Sequence, residues 1–284
     1  MKKVLSYCIW GTEPRYWSNI PYIIVANSAL YDGFTMRFFV HKGCDSSEWF
    51  KLLLDISQSP VNVEIEIVDM DLVGTKFTVW RMKPLWDDDV DYLFCRDIDY
   101  TPLRIERQAV EYFTYDQNYC VIHGIRSHPG HTTILMAGMC GFNASIIRKE
   151  IKIICPDFNS YVKYGQETVQ YCIDGWWWGC DQMLLRDFFG KNNYIPRILD
   201  CPQFSAPSTL ADVNWVTCGQ SNYDNIDICD PAVGNFTSGL ARYTGEAWHS
   251  TPEITRNLFL LVDNDTKRIV EKFIINSGFK ERFL

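Results

Sequence analysis

Short apolar segments alternate with segments of helical periodicity, and this alternation constrains the fold more than any other feature of the chain. Strands are predicted at residues 3–9, 34–40, 61–68, 90–95 and 119–124, and helices at 19–31, 46–56, 103–113 and from about Gly179. Strands alternating with helices at this spacing are typical of a mixed, mainly parallel sheet flanked by helices. We therefore predict an α/β fold, in which ligands bind beyond the carboxyl ends of the strands.

The last third of the chain differs in composition. Residues from about 200 to 250 are rich in Pro, Gly, Asn, Ser and Thr, which predicts irregular structure. A strand at 258–262 and a helix at 267–276 are predicted to close the chain. We predict a catalytic core of residues 1–200 and a C-terminal extension, residues 201–284, packed on that core.

Charge and composition exclude several classes of protein. The formal net charge is −8 and no run of basic residues occurs, so a nucleic-acid partner is not expected. No segment is predicted to be a signal peptide or a membrane span. The eleven Cys are scattered without a CxxC pair, which is typical of reduced, buried thiols rather than of disulfides or a zinc site. We expect a cytoplasmic protein.

Two aspartates follow the strand predicted at 90–95. In an extended chain Asp97 and Asp99 would point the same way, and two adjacent carboxylates repel unless a cation lies between them. A hard divalent cation, Mn²⁺ or Mg²⁺, would relieve this repulsion and leave positions open for diphosphate oxygens. Two alternatives are a solvated helix-capping turn and the D-x-D-x-T loop of a haloacid-dehalogenase-like phosphohydrolase, in which Asp97 would be the nucleophile.

The surroundings of the pair are similar to those in a family of bacterial and large-virus glycosyltransferases with a GT-A fold. The matching blocks, in order, are residues 5–11, 31–40, 79–85, 89–99, 104–110, 125–131, 134–141 and 179–185. They include the strings R-D-x-D at Arg96–Asp99, G-M-x-G at Gly138–Gly141 and D-Q at Asp181–Gln182. The chain departs from the family pattern at Tyr100, Ser127 and Cys140, which puts the identity of the sugar in question.

The resemblance implies a GT-A (Rossmann-like) fold and a metal-dependent glycosyltransferase, a hexosyl- or pentosyltransferase. The donor would be a nucleotide-diphosphate sugar, a UDP-sugar in preference, and the acceptor a hydroxyl of a glycan or glycoprotein, as in polysaccharide biosynthesis. Two other possibilities remain: the phosphohydrolase, and a carbohydrate-binding protein without catalytic activity. A nucleotidyltransferase is disfavoured because no Gly-rich phosphate loop follows the first strand.

Site residues follow from these blocks and from residue chemistry. The predicted metal ligands are Asp97 and Asp99, with His249 as a third. The predicted donor-binding residues are Trp10, Gly11, Arg81, Arg96, Asp97 and His131. The sugar or acceptor would lie against Gly138, Met139 and Trp177, although Trp177 also fits a plain hydrophobic cluster.

Asp181 is the candidate catalytic residue. As an inverting base it would deprotonate the acceptor hydroxyl, a role that Asp174 could also fill. In a retaining enzyme, Asp181 and Gln182 would position the donor sugar instead. The position of Asp181 before a helical apolar pattern also fits an N-cap.

Overall fold

A computed structural model describes residues 1–17, 19–69, 74–99, 104–115, 120–126, 135–173, 175, 179–192, 194, 198–202, 216–217 and 262–276. The strands are β1 (Lys3–Ile9), β2 (Thr35–His41), β3 (Val63–Val68), β4 (Tyr92–Arg96), β5 (Ile122–Arg126), β6 (Met139–Asn143), β7 (Ile198–Pro202) and β8 (Val216–Thr217). The helices are α1 (Pro14–Trp17), α2 (Ile20–Leu30), α3 (Glu48–Ser57), α4 (Arg104–Tyr115), α5 (Ala144–Ile154), α6 (Phe158–Thr168), α7 (Gln170–Ile173), α8 (Cys180–Lys191) and α9 (Asn264–Asn276). Two 3-10 segments cover Lys42–Cys44 and Gly74–Trp86.

The predicted α/β class, with a mixed and mainly parallel sheet flanked by helices, is confirmed. The described residues fall into two compact units. The first draws on residues 1–6, 71–97 and 109–225, and the second on 7–70, 98–108 and 226–284. The predicted boundary at residue 200 stays a prediction, because most of residues 203–261 lie outside the described part of the chain.

The first unit contains strands in the order β1-β4-β6-β5-β7-β8. The β1/β4, β5/β7 and β7/β8 pairs are parallel, whereas β6 runs antiparallel to both β4 and β5. Because β6 reverses direction in this way, its first residues lie beside the carboxyl end of β4. The register pairs Arg96 with Met139, so the chain entering β6 passes the residue that leaves β4.

Helices of the first unit cover both faces of its strands. The α4 ring of Phe113 packs edge-on against Phe94 and stacks on His123. Phe142, one residue after the cross-strand partner of Phe94, points to the other face and packs against Phe189 of α8. Strand β4 therefore has apolar side chains on both faces and is buried between helices.

The second unit pairs β2 and β3 in parallel and packs α2, α3 and α9 together. Its core includes Ile23, Phe38 and Leu53, none of them exposed. Strand β3, predicted at residues 61–68, is only partly buried, since Val63 is buried but Ile67 is 49% exposed. None of the helices in the described part of the chain combines the length and apolar character that a membrane span requires.

Candidate active site

Arg81, in the 3-10 segment before β4, is the centre of a buried polar cluster. Its side chain is only 6% exposed. The Nε group donates to the Thr78 carbonyl at 3.0 Å, and Nη1 donates to the Arg96 carbonyl at 3.3 Å. Backbone carbonyls therefore fix the plane of the guanidinium group, and its remaining donors point in set directions.

Those remaining donors reach two carboxylates. Nη1 of Arg81 pairs with Oδ1 of Asp97, and Nη2 pairs with Oδ2 of Asp181 at 2.7 Å. The Asp181 side chain is 11% exposed, whereas that of Asp97 is 48% exposed. One cation thus bridges two carboxylates that are 84 positions apart in the sequence, and the three side chains together carry a formal charge of −1. We call Arg81, Asp97 and Asp181 the bridged triad.

The start of α8 holds Asp181 in place. Gly179 is the N-cap, with a φ of 82° that favours glycine, and Asp181 is the second residue of the helix. Its Oδ1 accepts a hydrogen bond from the Gln182 amide at 2.9 Å, and the helix N-terminus favours a negative charge there. The alternative that Asp181 is the N-cap is therefore wrong.

Gly138 makes room for the Asp97 carboxylate. The two residues lie one step beyond the last register pair of β4 and β6, Arg96 with Met139. A Cβ atom at position 138 would overlap both oxygens and the carboxyl carbon of Asp97. Gly141 has a different neighbour, because a Cβ there would lie 2.5 Å from Cδ1 of Phe94.

The D-x-D segment is not an extended chain. Strand β4 ends at Arg96, and a turn occupies Ile98 and Asp99, so the prediction that alternation aligns the two carboxylates is wrong. The reason is that side chains take the backbone acceptors that strand pairing would use. Arg81 binds the Arg96 carbonyl, and Asn19 donates to the Ile98 carbonyl at 2.9 Å. Nothing in the sequence predicts this contact of Asn19, because an asparagine just before Ile-Pro has the pattern of an ordinary helix cap.

Two other predicted residues lie in the interior. Arg96 is 1% exposed, and its guanidinium group donates to the carbonyls of Cys95 and Cys140. Met139 is 5% exposed as the first residue of β6. Their assigned contacts with donor and sugar stay predictions. A donor could contact the Arg96 guanidinium group only if the side chains packed around it moved.

The loop after β1, in the second unit, contains Trp10 and Gly11. The Gly11 carbonyl accepts from Nε1 of Trp17 at 2.9 Å and from the Cys44 thiol at 3.3 Å. The Trp10 ring lies 6.1 Å from the ring of Tyr16. These contacts order the loop, and its predicted binding of the donor remains a prediction.

Four of the predicted residues cannot be placed. His131, Trp177, His249 and Asp174 lie outside the described residues. Their assigned roles in donor binding, the acceptor pocket, metal binding and base catalysis therefore stay predictions.

The carboxylates suit a hard divalent cation. Asp97 is half-exposed and Asp99 is partly exposed, and the bridged triad keeps a net negative charge. Among the described residues no three His, Cys, Asp or Glu side chains form a cluster that could hold a metal by themselves. Mg²⁺ at nucleotide sites commonly has only one or two carboxylate ligands, with phosphate oxygens and water completing its shell, so the donor set fits.

The cysteines in the described part of the chain are free thiols in buried positions. The eight described there, Cys8, Cys44, Cys95, Cys120, Cys140, Cys155, Cys172 and Cys180, are free and buried, as predicted. Burial raises the pKa of the Cys95 thiol well above its usual value and that of Cys155 to about 11. The Cys95 and Cys155 thiols therefore stay protonated near neutral pH and are poor nucleophiles.

Solved structures similar to this chain include two of one glycosyltransferase. No protein-family model and no curated protein matches the chain. The apo form of glycosyltransferase GlyE from Streptococcus pneumoniae TIGR4 is 16% identical, with a TM-score of 0.43 over 68% of this chain and 44% of that one. A second structure of GlyE is 13% identical, with a TM-score of 0.45 over 98% and 64%. The chain spans less than two thirds of the length of either structure.

Proposed function

We propose that the chain is a metal-dependent glycosyltransferase that moves a sugar from a nucleotide-diphosphate donor, a UDP-sugar in preference, to a hydroxyl of a glycan acceptor. The observation that carries the proposal is the bridged triad at the end of β4. It brings two carboxylates into contact with one guanidinium group, at the strand end where ligands bind in α/β sheets.

The triad has the chemistry that a sugar requires. Sugar hydroxyls both donate and accept hydrogen bonds, and carboxylates held rigidly by arginine accept them in fixed directions. Each carboxylate of the triad has one oxygen on Arg81, which leaves lone pairs for a ligand. Holding the reacting sugar in one orientation is itself a large part of catalysis.

Asp97 and Asp99 are the residues that would hold Mn²⁺ or Mg²⁺. The metal, when bound, supplies positive charge that stabilises the departing nucleoside diphosphate. The bridged triad orients the sugar in this scheme, and the half-exposed face of Asp97 is available to solutes.

We assign Asp181 to positioning of the donor sugar rather than to base catalysis. Its two oxygens already accept hydrogen bonds from Arg81 and Gln182. A general base must take up a proton during the reaction, which would weaken the 2.7 Å ion pair. A fixed anion is better suited to orienting a hydroxyl.

Thermal unfolding with UDP, GDP, CMP and dTDP, each with Mn²⁺ or EDTA, tests the proposal. We expect one nucleotide, UDP in preference, to raise Tm by about 5 °C at 100 times its Kd, and only with the metal present. Asp97→Asn should remove this shift. Asp89→Asn is the matched control, because Asp89 is an exposed carboxylate paired with Lys2 and should leave the shift unchanged.

Two results would count against the proposal. A chain that no nucleotide stabilises in the presence of Mn²⁺ lacks the proposed donor site. Release of phosphate from an aryl phosphate, lost in Asp97→Asn, would assign the same aspartate to a phosphohydrolase nucleophile.

Gly138→Ala is expected to weaken metal-dependent UDP binding on the order of 10-fold, because the new Cβ displaces the Asp97 carboxylate. Calorimetric titration of UDP in the presence of Mn²⁺ measures this directly. Gly141→Ala is the control: its Cβ meets the stiff, buried ring of Phe94, so it should lower stability by about 1–3 kcal/mol and leave UDP affinity unchanged. Equal UDP affinities for Gly138→Ala and the wild type would show that Asp97 is not part of the donor site.

A further inference from the structure

Asn19 forms a hydrogen bond that its position in the chain does not predict. It precedes α2 at the N-cap position, where asparagine side chains usually accept from a backbone amide of the first turn. The Asn19 side chain makes no such bond. Its Nδ2 donates instead to the carbonyl of Ile98, at 2.9 Å and 79 positions away, and the residue is 2% exposed.

The carbonyl that Asn19 holds is the central one of the D-x-D segment. The carbonyl of Ile98 and the amide nitrogen of Asp99 belong to one planar peptide unit, so a bond that fixes the carbonyl also fixes the direction in which the chain enters Asp99. Ile98 is 6% exposed, which anchors the turn from its buried side. Together the two contacts restrict the backbone that carries the Asp99 carboxylate.

Asn19 is itself rigidly held. Its amide donates to the Tyr16 carbonyl at 3.3 Å, and its carbonyl accepts from the Ile23 amide at 3.0 Å as the first hydrogen bond of α2. The helix behind it is buried along Ile23, Ile24 and Val25. The Ile98 carbonyl is therefore tied to a fixed element rather than to a loose side chain.

We propose that Asn19 is a positioning residue for Asp99, and that it gives up capping of α2 to hold the turn at Ile98 and Asp99 in a geometry that lets the Asp99 carboxylate bind metal. The inference rests on the proposed function. Groups that orient metal ligands without touching the metal commonly change its affinity by 10- to 100-fold when replaced.

Serine is the informative replacement at position 19. Its hydroxyl caps helices well, so Asn19→Ser should retain or improve the stability of α2, but its side chain is shorter and loses the bond to the Ile98 carbonyl. Asn27→Ser is the matched control. Asn27 lies on the same helix, is 1% exposed, and uses its Nδ2 on the Tyr7 hydroxyl at 2.7 Å, away from the turn. Asn19→Ala serves if the serine variant does not fold.

Two measurements separate positioning from a general structural role. The first is the Mn²⁺ concentration that gives half-maximal UDP binding at a fixed UDP concentration, measured by calorimetry below the Tm of every variant. The second is hydrogen exchange of the backbone amides of residues 96–99. We expect Asn19→Ser to raise the half-saturating Mn²⁺ concentration on the order of 10-fold and to speed exchange in the turn, with neither change in Asn27→Ser.

Each outcome bears on a different statement. Equal Mn²⁺ requirements in Asn19→Ser and Asn27→Ser, with a wild type that binds UDP normally, would overturn the role of Asn19 and leave the proposed function intact. A wild-type chain that does not bind UDP with Mn²⁺ would overturn both. Unchanged exchange in the turn of Asn19→Ser would show that the tether does not restrain the backbone, and would overturn the inference by itself.

Discussion

Arg81→Leu is expected to abolish metal-dependent UDP binding and to lower the free energy of unfolding by about 3–5 kcal/mol. The substitution leaves the Asp181 carboxylate, 11% exposed, without its cation, and removing one partner of a buried ion pair has an effect of this size. It also removes the hydrogen bonds that the carbonyls of Thr78 and Arg96 accept from the same guanidinium group. Urea unfolding and UDP calorimetry measure the two losses.

A double variant separates the two roles of Arg81. In Arg81→Leu/Asp181→Asn the orphaned charge is gone, so we expect part of the stability to return while UDP binding stays absent. Arg81→Lys keeps the positive charge, but lysine lacks the rigid guanidinium group that donates to two carboxylates at once. We therefore expect Arg81→Lys to lose UDP binding as Arg81→Leu does, but to lose less of the free energy of unfolding. Recovery of UDP binding in the double variant would contradict a role for the triad in the donor site.

Arg37→Leu is the control for loss of a buried arginine. Arg37 is 8% exposed and pairs with the Glu64 carboxylate at 2.7 Å within the second unit. Glu64 is 40% exposed and can be solvated when its partner is lost, so the stability cost should be smaller. UDP affinity should not change.

Sequence periodicity predicts the helices and strands whose side-chain pattern is contained within the element itself. The predicted strands at 3–9 and 34–40 and the helix at 19–31 agree with β1, β2 and α2 to within a residue or two. The 3-10 segment Gly74–Trp86 was not predicted, because it has neither helical nor strand periodicity and includes Pro84. That segment carries Arg81, so the sequence identified this residue as a candidate but did not predict where its side chain points.

The cluster at the candidate site depends on contacts that no local pattern encodes. Sequence reasoning selected Arg81, Asp97, Gly138 and Asp181 separately, each with its own role. The antiparallel strand β6 brings Gly138 beside Asp97, and α8 brings Asp181 to Arg81. Neither the reversal of β6 nor the bond from Asn19 leaves a periodic signal in the chain, since both are set by tertiary packing.

The second large effect that we expect is a fall in the free energy of unfolding in mild acid, and it comes from His123. The imidazole is completely buried on β5, stacks on Phe113 at 5.1 Å, and has no hydrogen-bond partner for either nitrogen among the described residues. Burial, with a smaller contribution from the nearby Arg96 cation, lowers the pKa of His123 from 6.5 to about 3. The folded chain therefore keeps this ring neutral where the unfolded chain protonates it.

The sign of the pH dependence follows from this difference. The pKa of His123 is lower in the folded chain than in the unfolded chain. Its contribution to the free energy of unfolding is therefore fully present above pH 6.5 and is lost as the pH falls towards 3. Between pH 7.5 and pH 5 the loss amounts to about 2 kcal/mol in the free energy of unfolding. This window lies above the usual pKa of Asp and Glu, so carboxylate titration contributes little to it.

His123→Phe isolates the effect, since the phenyl ring keeps the stacking on Phe113 and cannot titrate. We expect the variant to be more stable than the wild type at pH 5, and to lose about 2 kcal/mol less between pH 7.5 and pH 5 in urea unfolding. Phe142→Leu, on the neighbouring strand, should lower stability by the same amount at both pH values, because it changes packing alone. If the free energy of unfolding changed with pH in the same way in His123→Phe and the wild type, the imidazole would have to be solvated in the folded chain. That result would contradict its buried position beside Phe113.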